Sequence, residues 1–123
     1  MAFLTDRKRA IGMGSARSGT DHFWSMTVSS VALLILVPLF IFMVGSTIGE
    51  DYADVRARFA RPFPALVTVL TLIVGFHHFA MGARVLIEDY TGGLTRKLCI
   101  IAVQCISYAA IAASIYAIVR IAL

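Results

Sequence analysis

An all-α membrane protein with three transmembrane helices is the fold class this chain predicts, and three observations carry the prediction. Of its 123 residues, 59% are hydrophobic and the mean hydropathy is +0.86, too apolar for a soluble domain of that length. Three stretches, Phe23 to Gly49, Pro62 to Ala83 and Leu98 to Val119, hold no Asp, Glu, Lys or Arg, and each reaches the ~20 residues that a bilayer core requires. Between them stand short polar segments punctuated by proline or paired glycine. The chain reads as one domain, 1–123, with membrane spans at about 24–48, 63–88 and 98–120.

Residues 1–22 lack apolar periodicity, and the run Gly14-Ser15-Ala16-Arg17-Ser18-Gly19 is rich in turn residues, so this segment is expected to be a cytoplasmic N-terminal arm. Such an arm could touch a soluble partner, or serve only as a basic flank that fixes topology. Asp21, His22, Phe23 and Trp24 form an interfacial cluster, because tryptophan sits at the headgroup level with its ring half buried. Asp21 is placed to cap the first helix. That helix contains Pro38, which removes one backbone hydrogen bond and is expected to kink it. Membrane helices tolerate this where neighbours satisfy the freed group. The span starts too far from the N-terminus, and is too long, for a cleaved signal peptide, and is expected to belong to the mature chain.

The loop Glu50 to Arg61 mixes charge signs and reads as a solvated amphipathic segment. Pro62 and Pro64 mark the start of the second span, where a missing N–H costs nothing because the first turn has no partner for it. Thr91-Gly92-Gly93 ends that span. The third is rich in Ala, Ile and Ser, small enough for close helix packing. Its Gln104, Tyr108 and Tyr116 read as packing and interface groups.

The formal charge of +4 does not point to nucleic acid, since the basic residues are scattered around spans instead of lining one soluble face. They read as topogenic. Arg7, Lys8, Arg9 and Arg17 precede the first span, and Arg96 and Lys97 lie between the second and third. The other side holds Arg56, Arg58, Arg61 and Arg120. By the positive-inside rule the N-terminus is cytoplasmic, which puts the Asp89-Tyr90 end of the second span on the cytoplasmic side. Cys99 and Cys105 fall six residues apart in one helix, on roughly opposite faces. They cannot pair with each other, and no zinc-like spacing is present, so both read as small buried hydrophobes.

The chemistry is concentrated in Phe76 to Tyr90, FHHFAMGARVLIEDY. On a helix His78 and Asp89 come within about 20° of one face and about 16 Å apart along the axis. Gly82, one turn beyond His78, clears bulk from the same stripe, so that a flat ligand or another helix could come close. An ionisable residue inside an apolar span ordinarily faces a bundle interior and serves a ligand or a proton path, and neutral imidazole is a good iron ligand. His77 points about 100° away from His78, so the two cannot share one axial position; His77 is expected to be hydrogen-bonded inside the bundle. Arg84 is placed to snorkel to the interface, or to reach a cofactor carboxylate or a ligand headgroup.

The pattern His-x3-Gly-x6-Asp-Tyr, here His78, Gly82, Asp89 and Tyr90, resembles the second transmembrane helix of the small hydrophobic membrane-anchor subunit of succinate dehydrogenase, respiratory complex II. The Gly14 to Gly19 run is similar to that of bacterial members. The resemblance implies one half of a heterodimeric anchor bundle in a bacterial inner membrane. It implies that His78 is an axial ligand of the iron of a haem b, and that Asp89 and Tyr90 help to form the ubiquinone site. It also implies three partners: a flavoprotein subunit, an iron–sulfur subunit and a second membrane anchor that gives the opposite haem ligand. The chain departs from the family at the first helix, where Thr27 stands in place of an expected arginine near the haem propionates and His22 follows Asp21.

On this reading the chain anchors an oxidoreductase of the tricarboxylic acid cycle and aerobic electron transport without carrying the succinate chemistry. Its mostly apolar residues cannot hold a flavin, and its two cysteines fall short of the four thiolates of an ordinary iron–sulfur cluster. The alternatives are a small transporter or proton-channel subunit that uses His77, His78 and Asp89 as a relay, and a purely structural anchor whose histidines only pack helices.

Overall fold

A computed structural model describes residues 4–14 and 19–122. Five helices follow one another: α1 (Asp6–Ile11), α2 (Gly19–Gly45), α3 (Tyr52–Phe59), α4 (Pro62–Tyr90) and α5 (Gly93–Ala122). The three long ones have 27, 29 and 30 residues and are apolar enough to cross a membrane. At about 1.5 Å per residue each is at least about 40 Å long, against a hydrocarbon core of about 30 Å. Their ends therefore stand in the headgroup layer, or the helices tilt.

The all-α class and the three spans agree with the sequence, and the differences lie at the ends. The arm contains α1, which apolar periodicity does not announce. Thr5 caps it, its hydroxyl accepting from the Lys8 N–H at 3.3 Å, with Asp6 in the first turn and Lys8 and Arg9 in the last. Those charges complement the helix dipole, and Gly12 at φ 54 stops the helix. Ser15 to Ser18 of the glycine-serine run, and with them Arg17, lie outside the described residues. Helix α2 starts at Gly19, before the interfacial cluster, and runs unbroken through Pro38 to Gly45. Phe23 and Trp24 meet edge to face, their ring centroids 5.7 Å apart.

The amphipathic loop folds as α3, which buries Phe59. Arg58 ties it back to the end of α2, donating to Ser46 Oγ at 2.9 Å and pairing with Glu50. Pro62 lies in the first turn of α4, and the turn after Tyr90 passes through Gly93 at φ 60, a left-handed backbone that glycine adopts without steric cost.

Helix α4 is the centre of the fold. It packs against α2 on one side and α5 on the other, α3 rests on α4 and α5, and α2 and α5 do not meet. The long helices thus form a single open layer. Its seams are made of small residues: Ser29, Thr71 and Ala80 are buried, and Ser107 is 2% exposed. Large side chains such as Leu34, Phe42, Leu66 and Ile106 point outward. The accessible surface is 9407 Å², whereas a soluble monomer of this mass would show about 6,500 Å². Lipid and protein partners must cover the difference.

Candidate functional site

Helices α2 and α4 run antiparallel, and a ladder of contacts fixes their register. Leu33 Cδ2 lies 4.0 Å from where a Cβ on Gly75 would stand, Thr71 Oγ1 comes within 3.5 Å of the Leu36 carbonyl, and two serines of α2 meet the two histidines of α4. Ser29 Oγ is 2.9 Å from His78 Nδ1, and Ser25 Oγ is 3.4 Å from His77 Nε2.

The first of these pairs sets a tautomer. The Ser29 hydroxyl donates to the Ser25 carbonyl at 2.8 Å, with the Met26 carbonyl at 3.0 Å sharing the proton. A hydroxyl has one proton. Its contact with His78 is therefore made through the oxygen lone pair, so Nδ1 carries the hydrogen and donates it. Nε2 then keeps its own lone pair, and among the described residues it has no hydrogen-bond partner. An imidazole held through Nδ1–H with Nε2 free has a lone pair available for a ligand or a proton.

His77 is exposed on the surface of this chain, and its 3.4 Å contact to Ser25 is at the long limit of a hydrogen bond. The reason is the open layer: α4 has no third neighbour to enclose that face. A cavity of about 260 Å³ lies beside the ring, lined by Ser25, Val28, Ser29, Ala32, Ile73, Val74 and His77. At Gly82 a Cβ would meet nothing within 4 Å, so this chain leaves the stripe beyond His78 clear.

Asp89 and Tyr90 are the last two residues of α4, and both are exposed, Tyr90 at 82%. Because α4 is continuous from His78 to Asp89, the axial separation of about 16 Å and the shared face follow from helix geometry. Among the described residues the Asp89 carboxylate has neither an ion pair nor a hydrogen bond. Arg84 is committed within its own helix: its Nε donates to Glu88 Oε1 at 2.8 Å, one turn on. The Thr27 hydroxyl likewise donates to its own helix, to the Phe23 carbonyl at 2.9 Å.

Ser29 is the residue that sequence reasoning missed. It sits 49 positions before its partner, and nothing in the local pattern distinguishes it from Ser25 or Ser30. The Arg84–Glu88 pair, at i,i+4 spacing, is a second contact absent from the sequence expectations, which gave Arg84 a snorkelling or ligand-reaching role. Cys99 and Cys105 are free, as expected, though Cys105 is exposed. Among the described residues no group of three or more His, Cys, Asp or Glu gathers to hold a metal ion.

Residues 2–119 match the family described as succinate dehydrogenase/fumarate reductase transmembrane subunit. A curated protein of Paracoccus denitrificans, a succinate dehydrogenase hydrophobic membrane anchor subunit, is 50% identical over 123 residues, 100% of this chain and 95% of its own length. Proteins of the same name from Rickettsia bellii and Rickettsia typhi are 26% and 29% identical, over 94% and 62% of this chain and 94% and 61% of their own lengths. No solved structure matches this chain significantly.

Proposed function

The chain belongs to the succinate dehydrogenase/fumarate reductase transmembrane subunit family, and from that membership we propose that it lends His78 to a haem b and Asp89 and Tyr90 to the site where ubiquinone is reduced. It is the membrane-anchor subunit of a succinate dehydrogenase, by its likeness to the Paracoccus protein of that name. Membership in this family favours the anchor over the transporter and proton-channel readings.

The observation that carries the haem role is the hydrogen bond from His78 Nδ1 to Ser29 at 2.9 Å, which leaves Nε2 free to bind iron. Gly82 supports it, because nothing of this chain fills the space above the glycine. Haem, when bound, supplies one-electron storage next to the quinone. Holding the iron in one orientation and excluding water from it fall to His78, Ser29 and the apolar walls of α2 and α4. A second membrane anchor would supply the other protein ligand and close the open face of the layer.

At the rim, quinone reduction consumes protons as well as electrons, and donors must stand where negative charge develops. The Tyr90 phenol is an O–H donor at neutral pH and projects freely from the end of α4, suited to hold a quinone carbonyl. Asp89, with no partner in this chain, pairs with a basic group of a neighbouring subunit and relays protons from water. Succinate oxidation belongs to a flavoprotein and an iron–sulfur subunit, docked on the side where Asp89 and Tyr90 emerge. The distribution of Lys and Arg supports a cytoplasmic setting for that side and for the N-terminus, in the inner membrane of a bacterial cell.

The test is Tyr90→Phe in the purified complex, which keeps the ring and deletes the hydroxyl. Electron transfer from succinate to ubiquinone falls at least about tenfold, the order of a lost transition-state hydrogen bond, while transfer to an artificial dye that bypasses the quinone site stays near normal. Unchanged quinone reduction would remove Tyr90 from the site and leave it as an interfacial anchor.

A further inference from the structure

At the opposite end of the layer from Tyr90, α3 lies against the last turns of α5, and four polar side chains converge on one cavity. It measures about 480 Å³ and is lined by Tyr52, Arg56, Tyr116, Ala117, Arg120 and Ile121. A second cavity of about 360 Å³ adjoins it, shares Tyr52, Arg56 and Ile121, and is otherwise walled by alanines.

The two arginines differ from three others of the chain. Arg58 is tied to Glu50 and Ser46, Arg84 to Glu88, and Arg96 to the Thr91 carbonyl. Among the described residues, Arg56 and Arg120 have no ion pair and no hydrogen bond, although both face the same space. Two like charges turned toward one cavity repel each other unless an anion lies between them. Since α5 is long enough to cross the bilayer, its Arg120 stands at the headgroup level, where the abundant anion is a lipid phosphate.

We propose that this cavity binds the phosphodiester headgroup of an anionic phospholipid. Arg56 and Arg120 grip the phosphate oxygens, a geometry for which the planar guanidinium fork is suited. Tyr52 and Tyr116 donate their phenolic hydrogens from the interfacial layer where amphipathic rings settle, and the alanine-walled cavity with Ile121 receives the glycerol and the first acyl carbons. A zwitterionic lipid fits less well, because its own cationic group would be crowded against two arginines. The lipid would bridge α3, otherwise held mainly by Phe59 and Arg58, to the end of α5.

The test uses the intact complex, stripped of loosely held lipid in mild detergent and titrated with phosphatidylglycerol or phosphatidylcholine under native mass spectrometry. Wild-type complex retains one phosphatidylglycerol that Arg56→Gln/Arg120→Gln loses, with affinity lower by about thirtyfold, or about fivefold for each guanidinium. Arg56→Lys/Arg120→Lys keeps most of the affinity, and the single glutamine variants give the same comparison if the double variant does not assemble. Inorganic phosphate alone does not displace the lipid. Equal retention by the wild type and the glutamine variants, equal binding of phosphatidylcholine, or displacement by inorganic phosphate at matched concentration would each overturn the proposal. So would a wild-type complex that takes up no phosphatidylglycerol, because another subunit would then cover the arginines.

Discussion

Ser29→Ala removes one oxygen and leaves the seam between α2 and α4 otherwise as it is. Ser29 is 6% exposed, so the methyl group that replaces the hydroxyl is accommodated without rearrangement. What is lost is the acceptor for His78 Nδ1–H at 2.9 Å. The ring is then free to rotate about its last bond and to exchange tautomers, and a partly buried N–H is left without a partner, at a cost of about 1–3 kcal/mol. Loss of an outer-shell partner of this kind lowers metal affinity about 10- to 100-fold. Haem per complex, measured as the pyridine haemochrome during graded dilution of haem, should therefore fall in Ser29→Ala and recover in Ser29→Thr, which restores an oxygen at the same place. Ser25→Ala is the control, because its contact to His77 is already 3.4 Å long. Full haem retention and an unchanged midpoint potential in Ser29→Ala, or a larger loss in Ser25→Ala, would refute the tautomer argument.

Three further outcomes are expected. His78→Ala abolishes the low-spin spectrum of the haem while His77→Ala leaves ligation intact, and equal spectral damage from both would reverse the choice between the two rings. Ser107 is 2% exposed and among the described residues its hydroxyl has no hydrogen-bond partner, so Ser107→Ala leaves the thermal stability of the complex unchanged or raises it, whereas Ser107→Leu overpacks the seam between α4 and α5 and costs about 1–3 kcal/mol, read as a lowered melting temperature. A reporter fused after Leu123 is active only in its periplasmic form, and cytoplasmic activity would invert the topology inferred from the arginine and lysine distribution.

The three spans were legible because the signal that specifies them is crude and local: charge-free length measured against bilayer thickness. Their ends were not. Gly19 begins α2 several residues before the apolar stretch, because helix can continue through an interfacial segment such as Asp21 to Trp24 that carries no breaker. Within the site, the stripe joining His78, Gly82 and Asp89 could be read from helical periodicity alone, as all of it lies on one helix. Ser29 could not, since its role depends on the register between α2 and α4, which is set by small side chains such as Gly75 and Thr71 that carry no distinguishing pattern. The setting of His77 could not be read in detail for a related reason. An apolar neighbourhood in sequence does not say whether a side faces protein or lipid, and here it faces outward.

That outward face bears on why the chain cannot act alone. A layer in which α2 and α5 both touch α4 but never each other encloses no volume between three helices, so a ligand bound to His78 Nε2 would be covered by this chain on one side only. The same holds at the rim, where the Tyr90 phenol is 82% exposed and Asp89 has no cation beside it. An unpaired carboxylate and a bare phenol at the end of a membrane helix are stable in water, but a quinone pocket must be dry enough for hydrogen bonds to act on developing charge. Apolar helices from a second anchor would cover the exposed flank of α4, and a soluble subunit would seal the end where Asp89 emerges. Each surface left open on this chain thus corresponds to a wall that the proposed chemistry requires, and the hydrogen bond that orients His78 is made within this chain.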